Sequence, residues 1–179
     1  MNARVASAFA QFDRAELRLC QYLNRTSARL PVRALFRAVS WLGDGWFWYA
    51  WIGALPLLYP GIGFAASVHM AVVGACGVLL YKLIKDHAVR ERPFITHDTI
   101  ECAAAPLDRY SFPSGHTLHA VSFGIVLVSY FPEWLGIVAT FSALVALSRV
   151  VLGLHYPTDV AAGGLLGFTI ASASFALIG

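Results

Sequence analysis

Charge is what this sequence has least of. Only 13% of its 179 residues are Asp, Glu, Lys or Arg, against 58% hydrophobic, and the mean hydropathy is +0.65. A soluble domain of this size cannot bury that much apolar surface, so several segments are expected to face lipid. Cysteine is scarce too. Cys20, Cys76 and Cys102 make an odd count without a CxxC pair, which argues against a zinc site. Cys76 lies inside an apolar run and is expected as a small core residue. No carboxylate cluster suits magnesium, so neither a metal nor another cofactor is called for. The net charge of +3 is too small to argue for nucleic acid. No apolar leader opens the chain, because Arg4, Asp13, Arg14, Glu16 and Arg18 stand where a signal sequence needs a hydrophobic stretch. There is no internal repeat.

What is present divides into two parts. Residues 1–43 are amphipathic: Phe9, Phe12, Leu17, Leu19, Leu23 and Leu30 alternate with Arg14, Arg18, Arg25 and Arg29, and Pro31 interrupts the run. A second stretch, Val32 to Leu42, carries Arg33 and Arg37. Both predict helices lying in the membrane interface. Gly43-Asp44-Gly45 predicts a turn. Residues 44–179 then hold five apolar stretches, roughly Trp46–Tyr59, Phe64–Ile84, Thr117–Phe131, Glu133–Leu152 and Val160–Ile178. The expected fold is all-α, a polytopic transmembrane helix bundle of about five to six spans. The first stretch is short against the usual ~20 residues. Trp41, Trp46, Trp48 and Trp51 gather at its start, as an interfacial aromatic belt or as core packing. The loop 85–116 is long and polar, and such loops are usually functional.

Three polar clusters sit at span ends. Lys85, Asp86, His87, Arg90, Arg92 and Pro93 close the second span. Ser111, Pro113, Ser114, Gly115 and His116 open the third. Ser148, Arg149, Gly153, His155, Pro157 and Asp159 join the fourth to the fifth. Counting crossings puts all three on one membrane face.

Together they supply the parts of a phosphate-transfer site. Lys85, Arg92 and Arg149 are three cations, Ser114 adds a hydroxyl, and Ser114-Gly115 open a helix whose free N–H groups bind anions. Phosphate esters hydrolyse very slowly unaided, and a nucleophile splits the reaction into two easier displacements. His155 precedes Asp159 by four residues, so the carboxylate can orient the imidazole and stabilise its charge. His116 can protonate the leaving oxygen and later activate water. Each residue also has a plainer reading. Lys85 and Arg92 could snorkel to the headgroups, and His119, one turn after His116, reads as support or packing. His69 reads as a satisfied core residue. Arg90 is a rim group that could touch substrate, and the N-terminal arginines read as a membrane-surface stripe.

The clusters resemble the signature of the type 2 phosphatidic acid phosphatase (PAP2) superfamily: Lys85 through six residues to Arg92-Pro93, then Pro113-Ser114-Gly115-His116, then Ser148-Arg149 with His155 and Asp159. The resemblance extends from about residue 40 to the C-terminus and most resembles the small bacterial membrane members. It implies His155 as nucleophile, His116 as general acid, and Lys85, Arg92, Ser114, Gly115 and Arg149 as phosphate ligands. It also implies a metal-independent lipid phosphatase of the bacterial inner membrane. The implied substrates are undecaprenyl pyrophosphate, phosphatidic acid, phosphatidylglycerophosphate or a lipid A phosphate. A phosphotransferase using the same phosphohistidine and a non-catalytic lipid-binding protein are the alternatives. With five spans, all 13 Lys and Arg residues fall on the site face, which the positive-inside rule assigns to the cytoplasm. The resemblance assigns that face to the exterior, and the extracytoplasmic reading is preferred.

Overall fold

The computed structural model describes the backbone of residues 3–178 and the side-chain surroundings of residues 10–177. The side chains of Arg4 and Phe9, part of the expected amphipathic stripe, lie outside the described residues. Within them the chain is all-α. Its helices are α1 (Ala3–Arg25), α2 (Leu30–Gly43), α3 (Trp46–Leu58), α4 (Ile62–Lys85), the short α5 (Pro93–Thr96), α6 (Gly115–Tyr130), α7 (Leu135–Val151) and α8 (Pro157–Ile178).

The helix ends follow local chemistry. Pro31 does not break the N-terminal run. It sits in the first turn of α2, where its missing N–H costs nothing, and the break falls earlier, at residues 26–29. Gly45, at φ 111°, makes the turn into α3. Ser114 caps α6, its hydroxyl accepting from the Thr117 N–H at 3.4 Å. Pro157 opens α8 with Asp159 in the first turn.

Among the described residues three segments are long and apolar enough to cross a membrane: Ile62–Lys85, Pro132–Val151 and Pro157–Leu177. α3 and α6, with 13 and 16 residues, are shorter. α6 is short for a reason. It is the hub of the bundle, packed against α4, α7 and α8, and its first turns carry His116, Thr117 and His119 toward the polar end. It can approach α8 closely because Gly163 and Gly167 face it. A Cβ at either position would come within 2.4 Å of the carbonyl oxygens of Ser114 and Leu118.

The main core joins Trp48 and Leu55 of α3 with Met70 of α4, Phe123 of α6, Val145 of α7 and Ala171 of α8. Outward-facing Leu57, Phe64, Val72, Leu165 and Phe168 give the bundle an apolar exterior. Cys76 belongs to that exterior and not to the core, because α4 buries the stripe through Met70, Val73, Gly74 and Gly77. Of the four tryptophans gathered around the start of α3, Trp41 and Trp46 are exposed and stack on each other, whereas Trp48 is fully buried and Trp51 packs on Trp134.

α1 and α2 do not stand apart from the bundle. α1 packs against α7 and α8, and α2 against α7, α3 and α6. Asn24 ties this layer down. Its amide donates to the carbonyls of Glu101 (2.9 Å) and Val151 (3.0 Å), and its oxygen accepts from the Glu101 N–H (2.9 Å). Arg33 pairs with Glu101 at 2.7 Å, and Arg37 donates to the Ala103 carbonyl. These two arginines hold the 97–104 loop and are not part of a free surface stripe. His69 is buried, with Tyr130 at 3.2 Å on one ring nitrogen and Ser174 at 2.8 Å on the other.

Candidate active site

The turn between α7 and α8 is built to present His155. Gly153, at φ 75°, turns the chain so tightly that the N–H groups of Leu154 and His155 both donate to the Arg149 carbonyl, at 3.0 and 3.1 Å. No side chain fits at Gly153, since a Cβ would lie 2.4 Å from the Glu101 carbonyl oxygen. Two residues on, the imidazole of His155 is buried to 2% exposure.

Its ring is clamped from two sides. Arg92 Nη1 lies 3.1 Å from Nε2. A guanidinium only donates, so Nε2 is the lone-pair nitrogen and Nδ1 carries the proton. That Nδ1 has no hydrogen-bond partner within 3.5 Å, but Asp159 Oδ2 faces it at 3.7 Å. Asp159 is fully buried and fixed by the Tyr156 N–H at 2.8 Å and by Arg90 at 2.6 Å. Burial, aided by the positive charges of Arg149 and Arg92, pushes the His155 pKa down to about 4, although the Asp159 carboxylate opposes this. The ring is therefore neutral at pH 7, with its free lone pair toward Arg92.

A cavity of 470 Å³ opens at this ring. Arg92, Arg149, Gly115, His116, His119 and His155 line its polar end. Tyr49, Ile52, Ala71, Val78 and Phe123 line an apolar arm between α3, α4 and α6. Arg149 is 2% exposed. One of its nitrogens donates to Ser40, and its Nε has no partner among the described residues. A buried donor left open in a cavity wall suits an anionic oxygen. His119 also stacks on Phe123, with centroids 5.5 Å apart.

Two of the expected phosphate ligands face elsewhere. Lys85 Nζ pairs with Asp108 at 2.7 Å and with the Tyr81 hydroxyl, and it does not line the cavity. The Ser114 hydroxyl is fully buried and spent on Thr117, which leaves half-buried Gly115 as the part of that helix start that lines the cavity. Arg90 turns away from the cavity toward Asp159 and Glu16.

Four residues with no signal in the sequence enter the site. Asp108 bridges Lys85 and Arg92, taking 2.9 Å from Arg92 Nη2. Burial alone would raise its pKa, but the two cations outweigh burial and hold it below the usual range. Asp44, from the α2–α3 turn, places Oδ1 3.4 Å from His116 Nε2. Ser40 of α2 holds Arg149, and Glu16 of α1 holds Arg90. Each comes from a segment distant in sequence, so only the folded chain reveals them. Among the described residues no group of three or more His, Cys, Asp or Glu converges as a metal site.

The chain matches known proteins over the same elements. The family model described as "PAP2 superfamily" matches residues 63–179. An undecaprenyl-diphosphatase of Sulfolobus acidocaldarius is 36% identical over 66% of this chain, and the match spans 59% of that relative's length. A decaprenylphosphoryl-5-phosphoribose phosphatase of Mycobacterium tuberculosis is 31% identical over 76% of this chain and 75% of its own. The crystal structure of a transmembrane PAP2 type phosphatidylglycerolphosphate phosphatase from Bacillus subtilis superposes with a TM-score of 0.74. It shares 24% identity and covers 93% of this chain and 86% of its own, which speaks to the fold. A helical bundle with three span-length helices, three motif clusters gathered at one end and a family match over most of its length make this chain an integral membrane protein of the PAP2 superfamily.

Proposed function

We propose that the protein is a lipid phosphatase that removes a phosphate or diphosphate phosphoryl group through a phosphohistidine, without a metal. The observation that carries this is the open Nε of buried Arg149 in the same cavity as the Nε2 lone pair of His155.

In the first step His155 Nε2 attacks phosphorus in line, forming the N–P bond as the P–O bond to the leaving group breaks. His116 gives its proton to the departing oxygen. Arg92, Arg149 and the Gly115 N–H neutralise the non-bridging oxygens. Arg92 already donates to Nε2, so an incoming phosphate oxygen takes over that donor as it frees the lone pair. The phosphorylated ring keeps its proton on Nδ1, where Asp159 stabilises the charge. In the second step His116 takes a proton from water, whose oxygen displaces His155 from phosphorus.

The apolar arm beside the phosphate end favours a substrate with a long hydrocarbon chain. The relatives named for undecaprenyl and decaprenyl compounds favour a polyprenyl chain. We take the membrane to be the bacterial inner membrane, with α1 and α2 at its surface, residues 44–179 as the catalytic part, and the site on the extracytoplasmic face. A cysteine at exposed Asp98, in a background lacking Cys20, Cys76 and Cys102, reads the orientation. Labelling of intact cells by an impermeant thiol reagent supports it, and labelling only after the membrane is breached contradicts it. The activity test is phosphate release in EDTA from undecaprenyl diphosphate, phosphatidic acid, phosphatidylglycerophosphate and a lipid A phosphate. Undecaprenyl diphosphate is expected to turn over best. No phosphate from any of the four contradicts the proposal, and transfer only to an added lipid acceptor would make the protein a phosphotransferase.

A further inference from the structure

The catalytic histidine is tied to the N-terminal helix by a chain of three charged groups, Asp159, Arg90 and Glu16. Asp159 Oδ2 faces His155 Nδ1 at 3.7 Å, and its Oδ1 accepts from Arg90 Nη1 at 2.6 Å. Arg90 Nη2 donates to Glu16 Oε2 at 2.7 Å, and Nη1 also reaches the Thr158 hydroxyl at 2.7 Å. Glu16 Oε1 accepts from the Thr158 N–H at 2.8 Å and from the Thr158 hydroxyl. The guanidinium lies over the Tyr156 ring, 3.9 Å from its centroid. Glu16 is 7% exposed and Asp159 fully buried, so both carboxylates depend on Arg90 as their counter-charge.

We propose that Glu16 and Arg90 are positioning residues for the phosphoryl-transfer step: Arg90 locks Asp159 against His155, and Glu16 shares the arginine's charge so that Asp159 keeps enough negative charge to stabilise the phosphorylated ring. The inference rests on the proposed role of His155. It assigns α1, which lies outside the stretch matching the family model, a part in catalysis. It also gives Arg90 a role away from the substrate.

The electrostatics give the two residues opposite signs. If Glu16 loses its charge, Arg90 bears wholly on Asp159, the pair becomes more positive, and His155 binds a proton less readily. If Arg90 loses its charge, Asp159 is unpaired and His155 binds a proton more readily. The other groups facing this chain are Arg92 from the 85–116 loop, Arg149 from α7 and His116 from α6, all beside His155, together with the Cys20 thiol from α1, the Tyr156 hydroxyl from the turn before α8, and the Lys85 ammonium from the end of α4. None of them changes in either variant.

The test uses the full-length protein in detergent with labelled histidine, the His155 signal being identified by its loss in His155→Gln. Arg90→Gln is expected to raise the titration midpoint of His155 by about one unit, and Glu16→Gln to lower it by about half a unit. With undecaprenyl diphosphate, Glu16→Gln is expected to lower kcat about tenfold with KM little changed, and Arg90→Lys to recover part of what Arg90→Gln loses. If both glutamine variants lower the melting temperature yet leave the His155 midpoint unmoved, the chain is only a structural tie and the inference is overturned. Midpoints that move in the same direction overturn it as well. The titration needs no turnover, so it stands apart from the activity reading. Retained hydrolysis in His155→Ala would sink the proposed function without touching the titration result.

Discussion

Arg92 donates to the Nε2 of His155 across 3.1 Å, and that one contact fixes which ring nitrogen holds the lone pair that the proposed mechanism uses. The same guanidinium also donates to the Leu154 carbonyl at 2.9 Å and to Asp108, so its plane is held from three directions. An arginine held this way acts as a template. It sets the tautomer in the free protein and, in the proposed mechanism, passes its hydrogen bond to a phosphate oxygen when substrate arrives.

His155 is neutral wherever the pH exceeds its depressed pKa of about 4, because burial and the nearby arginines disfavour the charged ring. If His155 is the nucleophile, as proposed, it is active above that value and lost as pH falls through it. The acid limb of kcat/KM assigned to His155 should therefore lie well below the ordinary histidine value, near pH 4. An imidazole signal titrating near pH 6.5 and absent from His155→Gln would contradict the burial described for this ring.

Asp108 occupies hydrogen bonds of the two cations expected to meet phosphate. It remains ionised at neutral pH, since Lys85 and Arg92 hold its pKa down despite burial. Substrate must compete with it. Asp108→Asn should therefore tighten orthovanadate inhibition by about tenfold, equivalent to about 1.4 kcal/mol. Weaker inhibition would mean that Asp108 holds Lys85 and Arg92 in place for the ligand.

His116 and Asp44 are separated by 3.4 Å in the wall of the cavity. If His116 protonates the leaving oxygen, its loss matters only when that oxygen is basic. His116→Ala should lower kcat by roughly 10²- to 10⁴-fold for a lipid phosphate and far less for p-nitrophenyl phosphate. Asp44→Asn should show the same leaving-group dependence with a smaller loss. Equal losses on both substrates would assign His116 to phosphate binding.

Gly153 is the hinge on which His155 turns, at φ 75° with the Glu101 carbonyl against its face. Gly153→Ala meets both a left-handed backbone and a clash, and should cost about 1–3 kcal/mol of stability. Thermal unfolding in detergent measures it, and an unchanged midpoint would contradict the tight turn.

Much of this was legible before folding. His155 and Asp159 are four residues apart, Arg92 and His116 stand at the ends of apolar runs, and counting those runs gathers the clusters at one end. Local spacing carried that information. What it could not carry was the second layer. Glu16, Ser40, Asp44 and Asp108 lie in segments whose patterns read as surface helix, turn or loop, and only tertiary packing brings them to Arg90, Arg149, His116 and Lys85. The same limit hid the posture of Lys85 and Ser114. Spacing locates a side chain at a site but not the partner it chooses there. Pro31 lies inside α2 and not at the break, because a proline signals a boundary equally well from just inside a helix as from outside it.

The most direct test of the central claim is to trap the intermediate. Rapid acid-free quenching of the full-length protein with ³²P-labelled undecaprenyl diphosphate in EDTA, followed by peptide mapping, should place alkali-stable, acid-labile phosphate on His155, with none in His155→Ala. Label on Ser114 or any other side chain, or undiminished turnover in His155→Ala, would contradict the account.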